Sequence, residues 1–146
     1  PKTANIILLA AGSLANKNTN DDQILNVNYL SHVDFIEKSI LKYKDQIELN
    51  TIIGISSVAG DRGRENVDIY SSSKCSYSIY LKNLNKKLSE SGIHVMTVKP
   101  GWVKTKMTKN LKLPKIMTAN VDFVGKKIFK AYECKKIFCL FQDIGL

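Results

Sequence analysis

Between Ser57 and Lys74 the chain reads SVAGDRGRENVDIYSSSK, and this spacing leaves few ways to fold. Just before it, Thr51 to Ser56 (TIIGIS) is a short run rich in β-branched residues, which predicts a strand that ends where Ser57 begins. From about Ile69 the pattern turns helical. Tyr77, Leu81, Leu84 and Leu88 recur at three- and four-residue intervals until Ser91-Gly92 stops the helix. On that helix Tyr70 and Lys74 are four residues apart, so they lie one above the other on a single face. A phenol beside an ammonium makes an acid/base pair, because the positive charge favours phenolate and lowers the phenol from its ordinary pKa of about 10. Ser57 stands thirteen residues before Tyr70, at the carboxyl end of a strand, where open parallel sheets bind ligands.

The chain carries its own control. Tyr132 and Lys136 have the same spacing, but Ala119, thirteen residues before Tyr132, has no hydroxyl and no Gly-bearing strand exit precedes it. The second pair reads as a surface tyrosine and a solvated lysine. Ser56 is the other ambiguity; strand alternation sends it and Ser57 to opposite sides, so only one of them can face a site.

Asn5 to Ala10 (NIILLA) is a continuous apolar run ending in Ala11-Gly12, which suits a strand buried on both faces of a parallel sheet. Asn16 to Asp22 is polar, with Asp21 or Asp22 placed to cap a helix. From Gln23 to about Lys44, Ile24, Val27, Leu30 or Ser31, Phe35, Ile36 and Ile40 recur at helical intervals. Asn28 falls inside that helix, where asparagine has below-average propensity, so something other than helix stability holds it there; Asn26 is the competing candidate. His94 to Lys99 (HVMTVK) predicts a third strand, and Pro100-Gly101-Trp102-Val103-Lys104-Thr105 turns the chain over its end. Proline lacks an N–H and glycine a side chain, so such a turn presses its backbone against a flat ring. Met107 to Thr118 is polar and basic without periodicity and reads as a mobile loop covering a substrate. Ala119 to Tyr132 predicts a short helix through Val121, Val124, Ile128 and Ala131, and Ile137 to Phe141 a last strand.

Length and composition narrow the classes. A chain of 146 residues suffices for one domain with a core. No run of 18 apolar residues occurs, and the N-terminus lacks a charged-then-apolar signal pattern. Cys75, Cys134 and Cys139 show no C-x-x-C spacing, which argues against zinc or a disulfide framework and for a reducing compartment; Cys75 reads as a small packing residue. His32 and His94 stand outside any ligand constellation and read as structural, so no metal site is predicted. The net charge of +9 is uneven, with Lys99, Lys104, Lys106, Lys109, Lys112 and Lys115 in one stretch that contains no acid. Arg62 and Arg64 are the only arginines and aromatics are scarce there, a pattern of diffuse attraction to anions rather than base readout.

IIGISSVAGDRGRENVDIYSSSK followed by VKPGWVKT resembles the short-chain dehydrogenase/reductase family, whose catalytic Ser, Tyr-x-x-x-Lys and Pro-Gly-x-Val-x-Thr stand in this order at about these separations. The likeness runs from about Asn5 to at least Lys130. It implies an α/β fold: a partial doubly wound (Rossmann-like) parallel sheet with flanking helices, residues 1–146 forming one domain. The chain lacks the Gly-rich strand-turn-helix that opens such folds, and the resemblance implies roughly 80 residues before Pro1. It also implies an NAD or NADP cofactor and an oxidoreductase acting on an alcohol/carbonyl pair. Ser57 would hydrogen-bond the substrate oxygen, Tyr70 would give or take its proton, Lys74 would lower the tyrosine and grip the nicotinamide ribose, and Asn28 would order a relay water. Cofactor contacts are implied for Ala10, Ala11 and Gly12, where the family has Asn-Asn-Ala-Gly from Leu9, for Tyr70 and Lys74, and for Pro100, Gly101, Val103 and Thr105.

Within the family the chain is most similar to reductases of polyprenyl-phosphate-linked keto-sugars in cell-envelope synthesis, such as the reductase partner of decaprenylphosphoryl-ribose epimerase. That likeness implies a small-molecule or lipid-linked sugar substrate, no nucleic-acid partner, and a cytoplasmic protein at the inner membrane surface, to which the basic segment is suited. It also implies a homo-oligomer or a partner subunit docked through the helices near 23–44 and 69–90. The rival reading, for which the missing Gly-rich turn speaks, is a truncated, non-catalytic member acting as a binding or dimerisation module.

Overall fold

The computed structural model describes residues 5–14, 20–43, 49–62 and 67–140. Four parallel strands form its sheet in the order β1 (Ile6–Leu9), β2 (Thr51–Ile55), β3 (His94–Lys99) and β6 (Phe138–Leu140). The registers Leu9↔Gly54, Gly54↔Thr97 and Val98↔Cys139 bring the carboxyl ends of the strands to one edge of the sheet. Parallel strands need crossovers, and helices supply them. The first is helix α1 (Asp21–Leu25), a π turn (Asn26–Leu30) and helix α2 (Ser31–Tyr43); the second is α3 (Asp68–Leu88). The third holds a two-stranded parallel ribbon, β4 (Trp102–Val103) with β5 (Thr118–Ala119), followed by α4 (Val121–Glu133).

Strand alternation divides the interior in two. Ile7, Ile52 and Val95 pack with Ile36, Tyr77 and Leu81 from α2 and α3, while Ile53, Met96, Val98 and Cys139 pack with Val124 and Ala131 from α4. Each large apolar side chain fully buried in this way stabilises the fold by about 1.5–3 kcal/mol. β1 departs from the expected burial on both faces: Ile6 is 43% and Leu8 56% exposed. The reason is that the α4 layer packs on β2, β3 and β6 and its core takes no residue from β1.

Local chemistry explains the boundaries. Asn20, not Asp21 or Asp22, caps α1: its side chain accepts from Gln23 N at 2.8 Å, and the Gln23 carboxamide accepts from Asn20 N at 3.3 Å, a reciprocal capping box. The two aspartates occupy the first turn instead, where their charge meets the positive end of the helix. The segment expected as an unpatterned loop, Met107 to Thr118, is fastened at its end by a 3₁₀ turn (Lys115–Met117) and by β5, and Lys104 N donates to Ala119 O at 2.9 Å. The helix expected from Ala119 starts two residues later, at Val121, with Asn120 as its cap. Lys44 and Phe141, expected as the ends of a helix and a strand, and the polar residues 16–19 lie outside the described residues. Among the described residues no helix is long and apolar enough to cross a membrane.

Candidate active site

The exit of β2 separates the two serines as alternation requires. Ser56 is buried; its Oγ donates to Lys74 O at 2.8 Å and lies 2.7 Å from Ser78 Oγ, so it fastens β2 to α3. Ser57 faces the other way, accepting from Ala59 N at 3.1 Å in the short turn Val58–Gly60 and lying within hydrogen-bonding reach of the Tyr70 phenol. Gly60 closes that turn against α3. A Cβ there would stand 2.7 Å from Cys75 N and 2.8 Å from Lys74 C, contacts with backbone that only displacement of the turn or the helix could relieve. The glycine therefore sets the gap between the turn after Ser57 and the helical turn that carries Lys74.

Lys74 is 3% exposed, and its Nζ donates to Ile55 O at 3.0 Å. That bond uses one of three protons, and among the described residues Lys74 has no ion pair. Burial pushes the ammonium down to about 8. Burial also pushes the Tyr70 phenol up, and the Ser57 hydrogen bond pulls it part of the way back. The expectation that Lys74 lowers Tyr70 is thus not met in this chain alone. In a cleft of low dielectric each group is held toward its neutral form, and for both of them burial is the largest influence.

Asn28 sits fully buried in the π turn, a helix defect that often marks a functional site. Its Oδ1 accepts from Ser13 N at 2.8 Å, and its Nδ2 donates to Ser13 O at 2.8 Å and to Ser73 Oγ at 3.2 Å. Ser73 Oγ in turn donates to Tyr70 O at 2.7 Å. The carboxamide thus clamps the main chain just beyond β1, bracing an exit, Leu9-Ala10-Ala11-Gly12, whose own residues offer no side-chain hydrogen bond. A Cβ on Gly12 would lie 3.6 Å from Asn28 Oδ1, 3.6 Å from Met107 Cε and 3.7 Å from Lys74 Nζ, so four segments of the chain meet at this point.

The Pro100 turn joins the same edge. Val58 N donates to Pro100 O at 3.1 Å and Ser56 N to Val98 O at 2.7 Å, tying the exits of β2 and β3 together. Asn28, Ser57, Tyr70, Lys74 and Gly12 are thus brought together, while Ala10 and Ala11 are exposed at the mouth of β1 and Pro100, Gly101 and Val103 are half-buried beside it. Thr105 is exposed and bonded within its own loop, its N–H donating to Thr108 Oγ1 at 3.0 Å. At the second Tyr-x-x-x-Lys, Tyr132 packs against the α4 core and Lys136 is exposed, so spacing alone builds no site there. Sequence patterns do not single out Ser13, Met107 or His32. Ser73 had a signal, three consecutive serines inside a helix that serine disfavours.

Residues 6–115 match the family described as short chain dehydrogenase. The chain belongs to the short chain dehydrogenase family. It is 34% identical over 125 residues, 85% of this chain and 51% of that protein, to the 3-oxoacyl-[acyl-carrier-protein] reductase FabG of Buchnera aphidicola subsp. Baizongia pistaciae. To the acetoacetyl-CoA reductase of Synechocystis sp. it is 31% identical over 87 residues, 60% of this chain and 36% of that protein. The structure of a short-chain dehydrogenase from Sphingobium yanoikuyae in complex with NADPH superposes with a TM-score of 0.85 at 18% identity, covering 95% of this chain and 57% of that one. The partial doubly wound parallel sheet is the fold this family leads one to expect. The chain spans about half or less of the length of the curated relatives it matches.

One buried group of this chain stands outside the family motifs. His32 is 3% exposed, its ring is 4.9 Å from that of Tyr77, and among the described residues neither ring nitrogen has a hydrogen-bond partner. Burial first, then the charge of Lys74, push it from 6.5 down to about 4. Between those two values the unfolded chain binds the extra proton and the folded chain refuses it. Stability therefore falls as pH drops from 6.5 toward 4, by up to about 3 kcal/mol from this group. Urea midpoints measured from neutral pH down to pH 4 should fall more steeply for the native protein than for His32→Leu; parallel curves would mean the histidine protonates freely in the folded state.

Proposed function

We propose that the complete protein is an NAD(P)-dependent oxidoreductase acting on an alcohol/carbonyl pair. The observation that carries this reading is the Ser57 hydroxyl within hydrogen-bonding reach of the Tyr70 phenol, with the buried Lys74 ammonium one helical turn on, bonded to Ile55 O at the carboxyl end of β2. The residues fit a nicotinamide riboside. Lys74 has protons left over for ribose hydroxyls, Ala10, Ala11 and Gly12 leave the mouth of β1 without bulk, and Pro100 and Gly101 offer a bare backbone shelf. When bound, the nicotinamide supplies or takes the hydride. Solved neighbours of this fold that hold NADPH or NADP support a dinucleotide, and the reading takes either NAD or NADP.

The chain's own groups do the proton chemistry. Ser57, whose oxygen accepts from Ala59 N, turns its proton to the substrate oxygen and steadies the charge that develops there. Tyr70, kept neutral by burial, donates its proton to that oxygen in reduction and takes it back in oxidation. Lys74 grips the ribose and stabilises the phenolate left after donation. Asn28, by holding Ser13, shapes the space beside Lys74 in which a relay water stands. Val103 and Thr105 would hold the nicotinamide end. Exposed Leu25, Phe35, Leu41 and Ile79 on the helices of the first two crossovers support assembly of copies, or docking of a partner subunit, through those helices.

Relatives named as 3-oxoacyl-[acyl-carrier-protein] and acetoacetyl-CoA reductases support a 3-oxoacyl thioester as the carbonyl substrate. A polyprenyl-phosphate-linked keto-sugar, met at a membrane surface, is the second reading. What favours it is the basic segment, in which Lys99 pairs with Asp61 at 2.5 Å and no other lysine, among the described residues, has an ion pair. The deciding experiment gives the full-length protein NADPH or NADH with acetoacetyl-CoA and with a panel of keto-sugar phospholipids. Consumption of reduced cofactor with either class supports the reading, and the preferred class names the substrate. No consumption with any of them would favour the non-catalytic binding or dimerisation module.

A further inference from the structure

We infer that the cavity between the loop after β4 and the start of β5 is a subsite for a phosphate group carried by the substrate, held by Lys104, Lys106 and Lys109. The inference rests on the oxidoreductase reading above and deepens it. The cavity measures about 670 Å³ and is lined by these three lysines together with Leu111, Leu113 and Thr118, and by no acid. Its volume is that of a small-ligand site and far exceeds one phosphate, so it has room for the chain that carries the phosphate.

Three observations point to an anion there. Lys104, Lys106 and Lys109 have no ion pair among the described residues, as is also true of Lys42, Lys82 and Lys126, but these three line one cavity that holds no acid to neutralise them. The segment is also built to hold them near one another. The β4–β5 ribbon fastens its ends, and Thr108 Oγ1 donates to Val103 O at 2.7 Å and to Thr105 O at 3.2 Å. Like charges confined within a few residues repel, and a dense anion relieves that repulsion. Finally, the same loop reaches the chemistry, because Met107 Cε lies where a Cβ on Gly12 would touch it at 3.6 Å. A phosphate anchored in the cavity would therefore belong to a molecule whose other end enters the site around Tyr70. Leu111 and Leu113 suit the apolar part of such a molecule. Both substrate readings carry a phosphate: a coenzyme-type thioester at the far end of a flexible arm, and a polyprenyl-phosphate-linked keto-sugar on the sugar itself, between the reacting ring and the lipid chain.

The test uses the full-length protein and the variant Lys104→Gln/Lys106→Gln/Lys109→Gln. Acetoacetyl-CoA and acetoacetyl-N-acetylcysteamine present the same carbonyl and thioester, and only the first carries phosphate. The variant is expected to lose about tenfold or more in kcat/KM on the coenzyme A ester, through KM, with the N-acetylcysteamine ester unchanged within about twofold. Equal losses on both esters, no loss on either, or a loss confined to NADPH affinity would overturn the subsite. Calorimetric binding of coenzyme A and of farnesyl phosphate to the protein saturated with NADP gives a readout that needs no turnover. Binding of either probe that weakens tenfold or more in the variant supports the subsite even if neither ester is reduced, and the tighter probe identifies the source of the phosphate. Binding that is absent, or indifferent to the lysines, overturns the subsite while leaving any measured reductase activity standing.

Discussion

Tyr70→Phe is expected to lower kcat of the full-length protein by about 10²–10⁴-fold while leaving cofactor affinity nearly unchanged. The size of the effect follows from the site having one group suited to the proton transfer. Burial keeps the phenol protonated, so at neutral pH it is an acid ready to donate. Lys74 is a weaker candidate, as its hydrogen bond aims it at Ile55 O, on the β2 side. Ser57 already accepts from Ala59 N and supplies a hydrogen bond rather than a proton. Beyond the Ser57 contact, the substitution disturbs little. Ser73 Oγ bonds the main-chain carbonyl of Tyr70 at 2.7 Å, not its phenol, so the network from Ser13 through Asn28 and Ser73 survives in phenylalanine. Steady-state kinetics with a fluorescence titration of NADPH check both halves. Tyr132→Phe serves as the control and should leave turnover alone; turnover unchanged in Tyr70→Phe, or an equal loss in Tyr132→Phe, would remove Tyr70 from the mechanism.

Why so much of this site could be read from the chain, and the rest could not, is a matter of range. Tyr70 and Lys74 share a face because four residues make about one helical turn, and Ser56 and Ser57 part because a strand alternates; both rules are local, and the structure obeys them. The π turn is invisible to the same reading. Ile24 before it and Ile36 after it are both buried, so the apolar pattern survives one inserted residue without announcing it. Two-residue strands such as β4 and β5 are too short to show any period. The bare face of β1 depends on where a helix more than a hundred residues later comes to rest. Asn28 stood out as misplaced in a helix, but its partner Ser13 lies fifteen residues earlier in an apolar strand exit with no pattern of its own. The protonation balance was furthest out of reach. Sequence shows a phenol and an ammonium four apart, and only three dimensions show that burial acts on each more strongly than they act on each other.

That balance makes Lys74→Met the second large effect, and an unusual one: the variant should be more stable than the native protein and nearly inactive. Lys74 falls from 10.5 to about 8 because its ammonium is buried. Between those values the unfolded chain binds more protons than the folded one, so stability rises with pH across that window, and the whole penalty, up to about 3 kcal/mol, is present at neutral pH. Methionine fills a similar volume without charge. It leaves Ile55 O without its partner and takes the ammonium from over the Tyr77 ring, 5.9 Å from its centroid, which together offset about 2 kcal/mol, for a net gain of about 1 kcal/mol. Urea denaturation should show that gain at neutral pH and show it shrinking as pH is raised toward 10.5. The low-pH slope assigned to His32 should soften too, since the charge of Lys74 is one of the two causes that hold that histidine down. A variant less stable than the native protein at neutral pH would mean that the ammonium is compensated within the fold. A more stable, inactive one would mean the opposite: among the described residues the Ile55 carbonyl and the Tyr77 ring do not repay the burial of that charge, and the ammonium is kept for what it does in turnover.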